Sequence, residues 1–360
     1  MTEDSCLSVP MVLVMPRCAD PTKTVRLHQV VDAALGDRPV EKVTLAEEFV
    51  PLRGRRILFA VSLGESGVNL EYCRFLKKLR TGGEFLQGCT GVVLVDGNSE
   101  LYTKSVAREL VFAANRAGCA FPGRPLVEGT ASLENFNVVA QVLGTSNREA
   151  YTRSAVQLVK ELEAFAPVRR KEPGILALHA SNYATSNTLA LWRMVKEHLD
   201  GCRIAEINLR NGTVADCAGC SYPTCMHYSE KGSCFYGGPM VEEVYPAIEA
   251  CDALVMICPN YNDALSANLC AFINRLTALF RKRRFYEKCL FGLVVSGYSG
   301  GDIVAGQLIS GLNMNKTFRL PDHFAMVETA NRPGSIQGIP GIEEKAAAFA
   351  RRILWWTKEP

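Results

Sequence analysis

The sequence predicts an α/β protein built as a tandem duplication: two doubly wound parallel sheets, each of five strands in the order 2-1-3-4-5. Three observations predict it. The first half of the chain resembles the second in order, spacing and apolar pattern. Within the second half, short apolar runs alternate with amphipathic helical patterns, the mark of a parallel sheet covered on both faces. The 360 residues, 48% apolar and 21% charged, suffice for two cores and lie far from the composition of disorder.

The duplication appears in three blocks. Segment 11–45 reads as strand, loop, helix, strand and lies over 175–209, with Thr24 opposite Thr188. Segment 57–79 reads as strand, loop, amphipathic helix and lies over 254–276, with Cys73, Phe75 and Leu79 opposite Cys270, Phe272 and Leu276. In the third block Cys89, Gly97 and Glu128 fall opposite Cys289, Gly297 and Glu328. The spacing widens between the first two blocks, so the second half carries an insertion over 210–243. Each half ends in an amphipathic helix, 148–165 and 343–356, and the Pro- and Arg-rich stretch 166–173 joins them. The expected domains are therefore 1–167 and 168–360. The second half's strands are expected, as buried runs, at 175–178, 204–209, 253–258, 290–295 and 324–327.

Forty Lys and Arg against 37 Asp and Glu give a formal charge of +3, too balanced for a nucleic-acid groove. The basic clusters at Arg53, Arg55 and Arg56, at 169–171 and at 281–284 read as solvated loops or helix ends. Residues 1–10 are short and acidic, and the apolar run 11–15 is too brief for a signal or a spanning helix, so a cytoplasmic, non-membrane protein is expected. Fourteen cysteines in such a chain call for burial, redox work or metal binding rather than a disulfide framework.

A sheet of this order collects ligand at the carboxyl ends of its strands, near the switch between strands one and three. Three loops of the second half stand there. The first, 180–188, is rich in hydroxyls and amides, and a loop of free N–H groups opening a helix attracts phosphate; an ordinary helix cap would use the same residue types. The second, 259–266, places Tyr261 among Asn260, Asn262 and Ser266, an aromatic for stacking beside amides for a ring's polar edge, or else a turn whose tyrosine packs on a neighbour. The third, 296–302, has Gly297, Gly300 and Gly301, which permit close approach of backbone to a flat ligand.

On these three loops, with the Asp252 strand start and the run Phe272-Ile273-Asn274-Arg275, the second half resembles the NAD(P)H-dependent FMN reductase and iron-sulfur flavoprotein group of the flavodoxin-like superfamily. The resemblance implies that Ser181, Thr185, Ser186, Asn187 and Thr188 hold the FMN phosphate. It implies that Pro259, Asn260, Tyr261, Asn262 and Ser266, with Ser296, Gly297, Tyr298, Gly300 and Gly301, flank the isoalloxazine. Where the group commonly has Phe-Ile-Asp-Arg, this chain has Asn274.

The insertion spaces Cys217, Cys220, Cys225 and Cys234 as Cys-x2-Cys-x4-Cys-x8-Cys. A [4Fe-4S] cluster is the expected occupant of those four thiolates; zinc, which could take His227 in place of one, and free thiols are the alternatives. The other cysteines are assigned to the core.

Over the phosphate loop, the first half has Cys18-Ala19-Asp20-Pro21, where proline lacks an N–H and the carboxylate opposes phosphate, and it has Leu63-Gly64-Glu65 opposite Asn260-Tyr261-Asn262. One FMN per chain is expected, with the first half a degenerate, cofactor-free domain. Because flavin reductases of this kind commonly dimerise beside the flavin, the resemblance makes the fused repeat an internal pseudo-dimer and leaves a homodimer open. The expected activity is FMN-dependent oxidation of NAD(P)H, with electrons passed to a small-molecule or protein acceptor. The alternatives are an iron-sulfur flavoprotein electron carrier and a non-catalytic flavin redox sensor.

Overall fold

A computed structural model describes residues 10–64, 67–181, 185–210 and 212–360. The chain divides into two compact units, Met1–Phe165 and Ala166–Pro360. Among the described residues, no helix is long and apolar enough to cross a membrane.

In the first unit the strands are β1 (Met11–Val14), β2 (Val40–Val43), β3 (Arg56–Ser62), β4 (Cys89–Asp96), β5 (Cys119–Ala120) and β6 (Leu126–Gly129), all parallel, in the order β2-β1-β3-β4 with β5 and β6 both on β4. The expected fifth strand is thus in two pieces, Cys119 opposite Cys89 and Leu126 opposite Val93. Between them lie Pro122 and Pro125, which cannot donate to a ladder. β3 and β4 are buried along nearly their whole length, because helices cover both faces.

Helix Leu70–Thr81 begins at Asn69, whose side chain accepts from Tyr72 N, and helix Asn147–Ala164 begins at Ser146, which accepts from Glu149 N. A polar knot closes the core end of β4. Arg26 donates from Nε to Asp96 Oδ2 at 2.8 Å and from Nη2 to Oδ1 at 3.1 Å, and Tyr151 Oη donates to Asp96 Oδ2 at 3.1 Å.

In the second unit, β7 (Gly174–His179), β8 (Arg203–Asn208), β9 (Ala253–Pro259), β10 (Cys289–Ser296) and β11 (Ala325–Thr329) form a parallel sheet in the order β8-β7-β9-β10-β11. Counted from β7, that is 2-1-3-4-5. Here too the fifth strand has a detached piece, since Cys289 bridges Arg319 before Pro321 interrupts the path to β11. The shared break is a second trace of the duplication.

Strands β7, β9 and β10 are buried almost throughout, as their unbroken apolar runs require. β8 corrects an expectation: read as a buried run, it is an edge strand with Ala205 and Glu206 exposed and Ile204 and Ile207 half-buried. Ile204 and Ile207, three apart, lie on opposite faces, and with one neighbour the strand is only partly covered.

Candidate active site

Every loop expected to meet the ligand leaves the carboxyl end of a strand. β7 runs through Ser181 to helix Asn187–Lys196, β9 runs to helix Ala267–Lys282, and β10 runs to helix Gly301–Leu308. Asn182, Tyr183 and Ala184 of the first loop lie outside the described residues, as does Glu65 of the first unit. Ser181 and Thr188 are buried, and Thr185 is exposed. Ser186 caps its helix by accepting from Leu189 N.

Asn187 is committed to the scaffold. Its Nδ2 donates to the carbonyls of Ala330 and Arg332 at 3.0 and 2.9 Å, and its Oδ1 accepts from Ile336 N at 3.3 Å. It therefore ties the phosphate-loop helix to the segment after β11. Three further asparagines act the same way. Asn208 Nδ2 donates to Ser181 O at 3.0 Å, joining β8 to the first loop. Asn268 Nδ2 donates to Leu209 O and Arg210 O, both at 2.6 Å, joining the helix after β9 to the end of β8. Asn260 Nδ2 donates to Ser299 O at 2.7 Å and Ser296 Oγ at 3.2 Å, joining the second loop to the third. Asn208 and Asn268 were missed in the sequence reading, for an asparagine after a strand or inside a helix start signals only a turn or cap.

Tyr261 to Ala264 close a tight turn, with Asn262 and Asp263 both at positive φ (53° and 56°), a conformation that asparagine and aspartate tolerate better than other side chains. Gln307 anchors the turn, accepting from Leu265 N at 2.9 Å and donating to Asp263 O at 3.2 Å. The turn leaves Tyr261 55% exposed, and Tyr298 on the neighbouring loop is 82% exposed, so two aromatic faces stand free at this edge. Leu63, opposite Asn260 in the duplication, is buried, and Gly64, opposite Tyr261, has no ring to offer. Pro259 and Asn260 are half-buried, Ser296 and Gly301 are buried, and Gly297 is half-buried. Gly300 has φ 81°, and a Cβ there would overlap Asp263 Oδ1 and come within 2.9 Å of Asn260 Nδ2.

The polar groups left open here, two acceptors and a hydroxyl, fit a ligand with hydrogen-bond donors. Among the described residues, Ser266 Oγ, Asn260 Oδ1 and Asn208 Oδ1 are buried without a hydrogen-bond partner. Ser266 is the sharpest case, since it occupies the N-cap of helix Ala267–Lys282 yet makes no capping bond. Such orphaned groups cost about 1–3 kcal/mol each unless something binds them.

Beneath the first loop lies a group the sequence reading did not single out. His179 is buried, its Nδ1 accepts from Ser181 N at 3.3 Å, and its Nε2 faces Glu206 Oε1 at 3.7 Å. Burial pushes the imidazole below its usual range, with Glu206 opposing, so the ring is neutral with its proton on Nε2. Burial also pushes Glu206 upward, but the Trp192 Nε1 hydrogen bond of 2.9 Å and the charges of Lys196 and His179 outweigh it and hold the carboxyl below the ordinary range.

The four cysteines of the insertion do not form the expected cage. Among the described residues, no group of three or more His, Cys, Asp or Glu is arranged to hold a metal ion. The x4 spacing places Cys225 on helix Tyr222–Glu230, where its Sγ accepts from Arg281 Nε at 3.2 Å, while Cys217 is exposed. Arg281, read as a solvated helix end, also lies over the Tyr222 ring at 4.6 Å. The core assignment of the other cysteines holds for Cys89, Cys119, Cys251, Cys258 and Cys289, but Cys73 is exposed and Cys18, Cys202 and Cys270 are half-buried. Cys73 and Cys270 sit on helices whose apolar faces lie one position away.

Against known proteins, the match falls in the second unit. Residues 173–332 match the NADPH-dependent FMN reductase family. The resemblance read from the loops is borne out by this match. Among solved structures, the chain is similar to an NAD(P)H:quinone oxidoreductase from Methanothermobacter marburgensis, at 16% identity over 50% of this chain and 94% of that one, with a TM-score of 0.37. It is likewise similar to an azoreductase from Bacillus anthracis, at 16% identity over 50% and 99% of the two chains, with a TM-score of 0.37. No curated protein matches.

Proposed function

We propose that the second unit binds one FMN and acts as an FMN-dependent NAD(P)H oxidoreductase. The observation that carries the reading is the coincidence of the family match over 173–332 with a 2-1-3-4-5 sheet whose carboxyl edge holds orphaned polar groups at Ser266, Asn260 and Asn208. When bound, FMN supplies hydride acceptance from the nicotinamide and onward transfer of electrons.

The chain's own residues do the positioning. Ser181, Thr185, Ser186 and Thr188 surround the N-terminus of helix Asn187–Lys196, where free N–H groups and the helix dipole favour a phosphate. Asn187 fixes that helix from behind rather than meeting the phosphate. His179, held neutral, keeps Ser181 N oriented. Tyr261 and Tyr298 offer exposed rings for stacking, and the glycines at 297, 300 and 301 keep the third loop low enough for a ring to lie against backbone. The acceptor is a small molecule or protein partner. The electron-carrier alternative adds a cluster, for which no group of three or more potential ligands is gathered among the described residues.

The test is purification with FMN, flavin quantification, and steady-state oxidation of NADH and NADPH with free flavin, quinone and azo acceptors. One flavin per chain and acceptor-dependent oxidation are expected. Protein that takes up no FMN would overturn the assignment, and FMN-loaded protein that oxidises neither nucleotide would leave a flavin sensor.

A further inference from the structure

The first unit has a cavity at its own sheet edge. About 460 Å³ in volume, it opens where the segments after β1 and β2 meet the end of β3, and that size lies within the range of small-molecule sites. Its floor is apolar, with Met15 and Pro16 buried, and its walls carry Arg17, Lys42 and His28. No carboxylate lines it among the described residues.

The nearby acids are turned to other work. Asp20, which the sequence sets against phosphate, accepts from Thr22 N at 2.9 Å and Thr22 Oγ1 at 2.6 Å, capping its own turn. Glu48 accepts from Thr44 N and Leu45 N at 3.4 and 3.3 Å. Glu71 is buried on Ala46 N at 2.6 Å and paired with Arg74 at 2.8 Å. Arg17 adds to the field that keeps Glu71 ionised, but its guanidinium makes no hydrogen bond or ion pair among the described residues. Lys42 has no partner there either. His28 spends Nδ1 on Thr24 O at 2.9 Å, leaving Nε2 for the cavity.

Two cations without a hydrogen bond or ion pair among the described residues, over an apolar floor and at the edge where sheets of this topology gather ligands, match a small organic dianion. We propose that the first unit is a second binding site, for a phosphomonoester, distinct from the FMN site of the second unit. The phosphate would lie between Arg17 and Lys42, which supply charge-assisted hydrogen bonds in place of the N–H cradle that Pro21 interrupts. The organic group would cover Met15 and Pro16.

The probe is phenyl phosphate, titrated calorimetrically into the full-length protein preloaded with FMN, at constant ionic strength. One phenyl phosphate per chain is expected to bind. Arg17→Gln and Lys42→Gln should each weaken it about tenfold, the worth of one charged hydrogen bond. The double variant should abolish it, and Lys160→Gln, on the exposed face of the last helix of that unit, should leave it unchanged. Flavin content should stay constant throughout. Absence of binding up to about 10 mM, a weak affinity by any standard, would overturn the proposal. So would binding that survives in the double variant, which places the phosphate in the second unit's loop, or equal binding of neutral benzyl alcohol. Because both variants alter only the first unit, the outcome stands whether or not the second unit holds FMN.

Discussion

Gly300→Ala is the perturbation that most directly tests the third loop. At φ 81° an alanine costs about 1–2 kcal/mol from backbone strain alone. Its Cβ would also displace the Asp263 carboxylate and crowd Asn260 Nδ2 at 2.9 Å, breaking the bond from Asn260 to Asp263 and straining that to Ser299, for about 1 kcal/mol more. The expected total is about 2–3 kcal/mol. Gly341→Ala is the matched control: its φ is 71°, but nothing lies closer to a Cβ than Glu344 Oε2 at 3.7 Å, so only the strain of about 1–2 kcal/mol remains. All three tryptophans, Trp192, Trp355 and Trp356, belong to the second unit, so denaturant unfolding followed by tryptophan fluorescence reports that unit alone. FMN affinity by equilibrium dialysis should fall at least about tenfold in Gly300→Ala, the counterpart of 1.4 kcal/mol, and little in Gly341→Ala. Equal losses of stability and of flavin in the two variants would refute the loop-to-loop coupling.

Tyr261→Ala should weaken FMN binding about fivefold and shift the flavin absorbance, because an offset-stacked ring contributes on the order of 1 kcal/mol beyond burial; an unchanged spectrum would remove Tyr261 from the site. His179 is depressed below 6.5, so the unfolded chain takes up its proton before the folded one does; the stability it contributes is complete above 6.5 and declines as pH falls toward the folded value. Tryptophan-monitored stability should therefore drop on acidification below 6.5, and His179→Gln should flatten that drop. Arg26→Met should destabilise the first unit by about 3 kcal/mol in thermal unfolding, since it leaves Asp96 buried without its charged partner. A thiol reagent at mild alkaline pH should modify exposed Cys73 and Cys217 first, whereas Cys258 and Cys289, whose thiols burial pushes far up, should react only after unfolding.

Strand identity was legible wherever both sheet faces are covered. The runs at 175–178, 253–258 and 290–295 lie within β7, β9 and β10, because a doubly buried strand must be apolar without alternation. β8 was legible as a strand but not as an edge, since its β-branched residues say nothing about how many neighbours pair with it. The split of the fifth strand needed the paired partners of Cys89 and Cys289, which no local pattern carries. At the site, the loops could be located because chain order fixes which strand ends come together. Their wiring could not, as the sequence gives Asn187, Asn208, Asn260 and Asn268 the same letter and only the fold decides which carbonyl each one meets. The cysteine spacing could not show, for a related reason, that Ser221 caps a helix that carries Cys225 to Arg281.

The asparagine ties carry a consequence for how this site could change. Among the described residues, the loops at the carboxyl edge of the second sheet rest on amides lent by neighbours, β8 to the first loop, the second loop to the third, the helix after β9 to the end of β8, and the first helix to the segment after β11. Altering one loop's length or backbone path would unseat the next, so single-loop grafts from relatives should fail more often than transplants of the whole set. Redesign for a new acceptor is better aimed at Tyr261 and Tyr298, whose exposed side chains take no part in the ties and can be exchanged without loosening any of them.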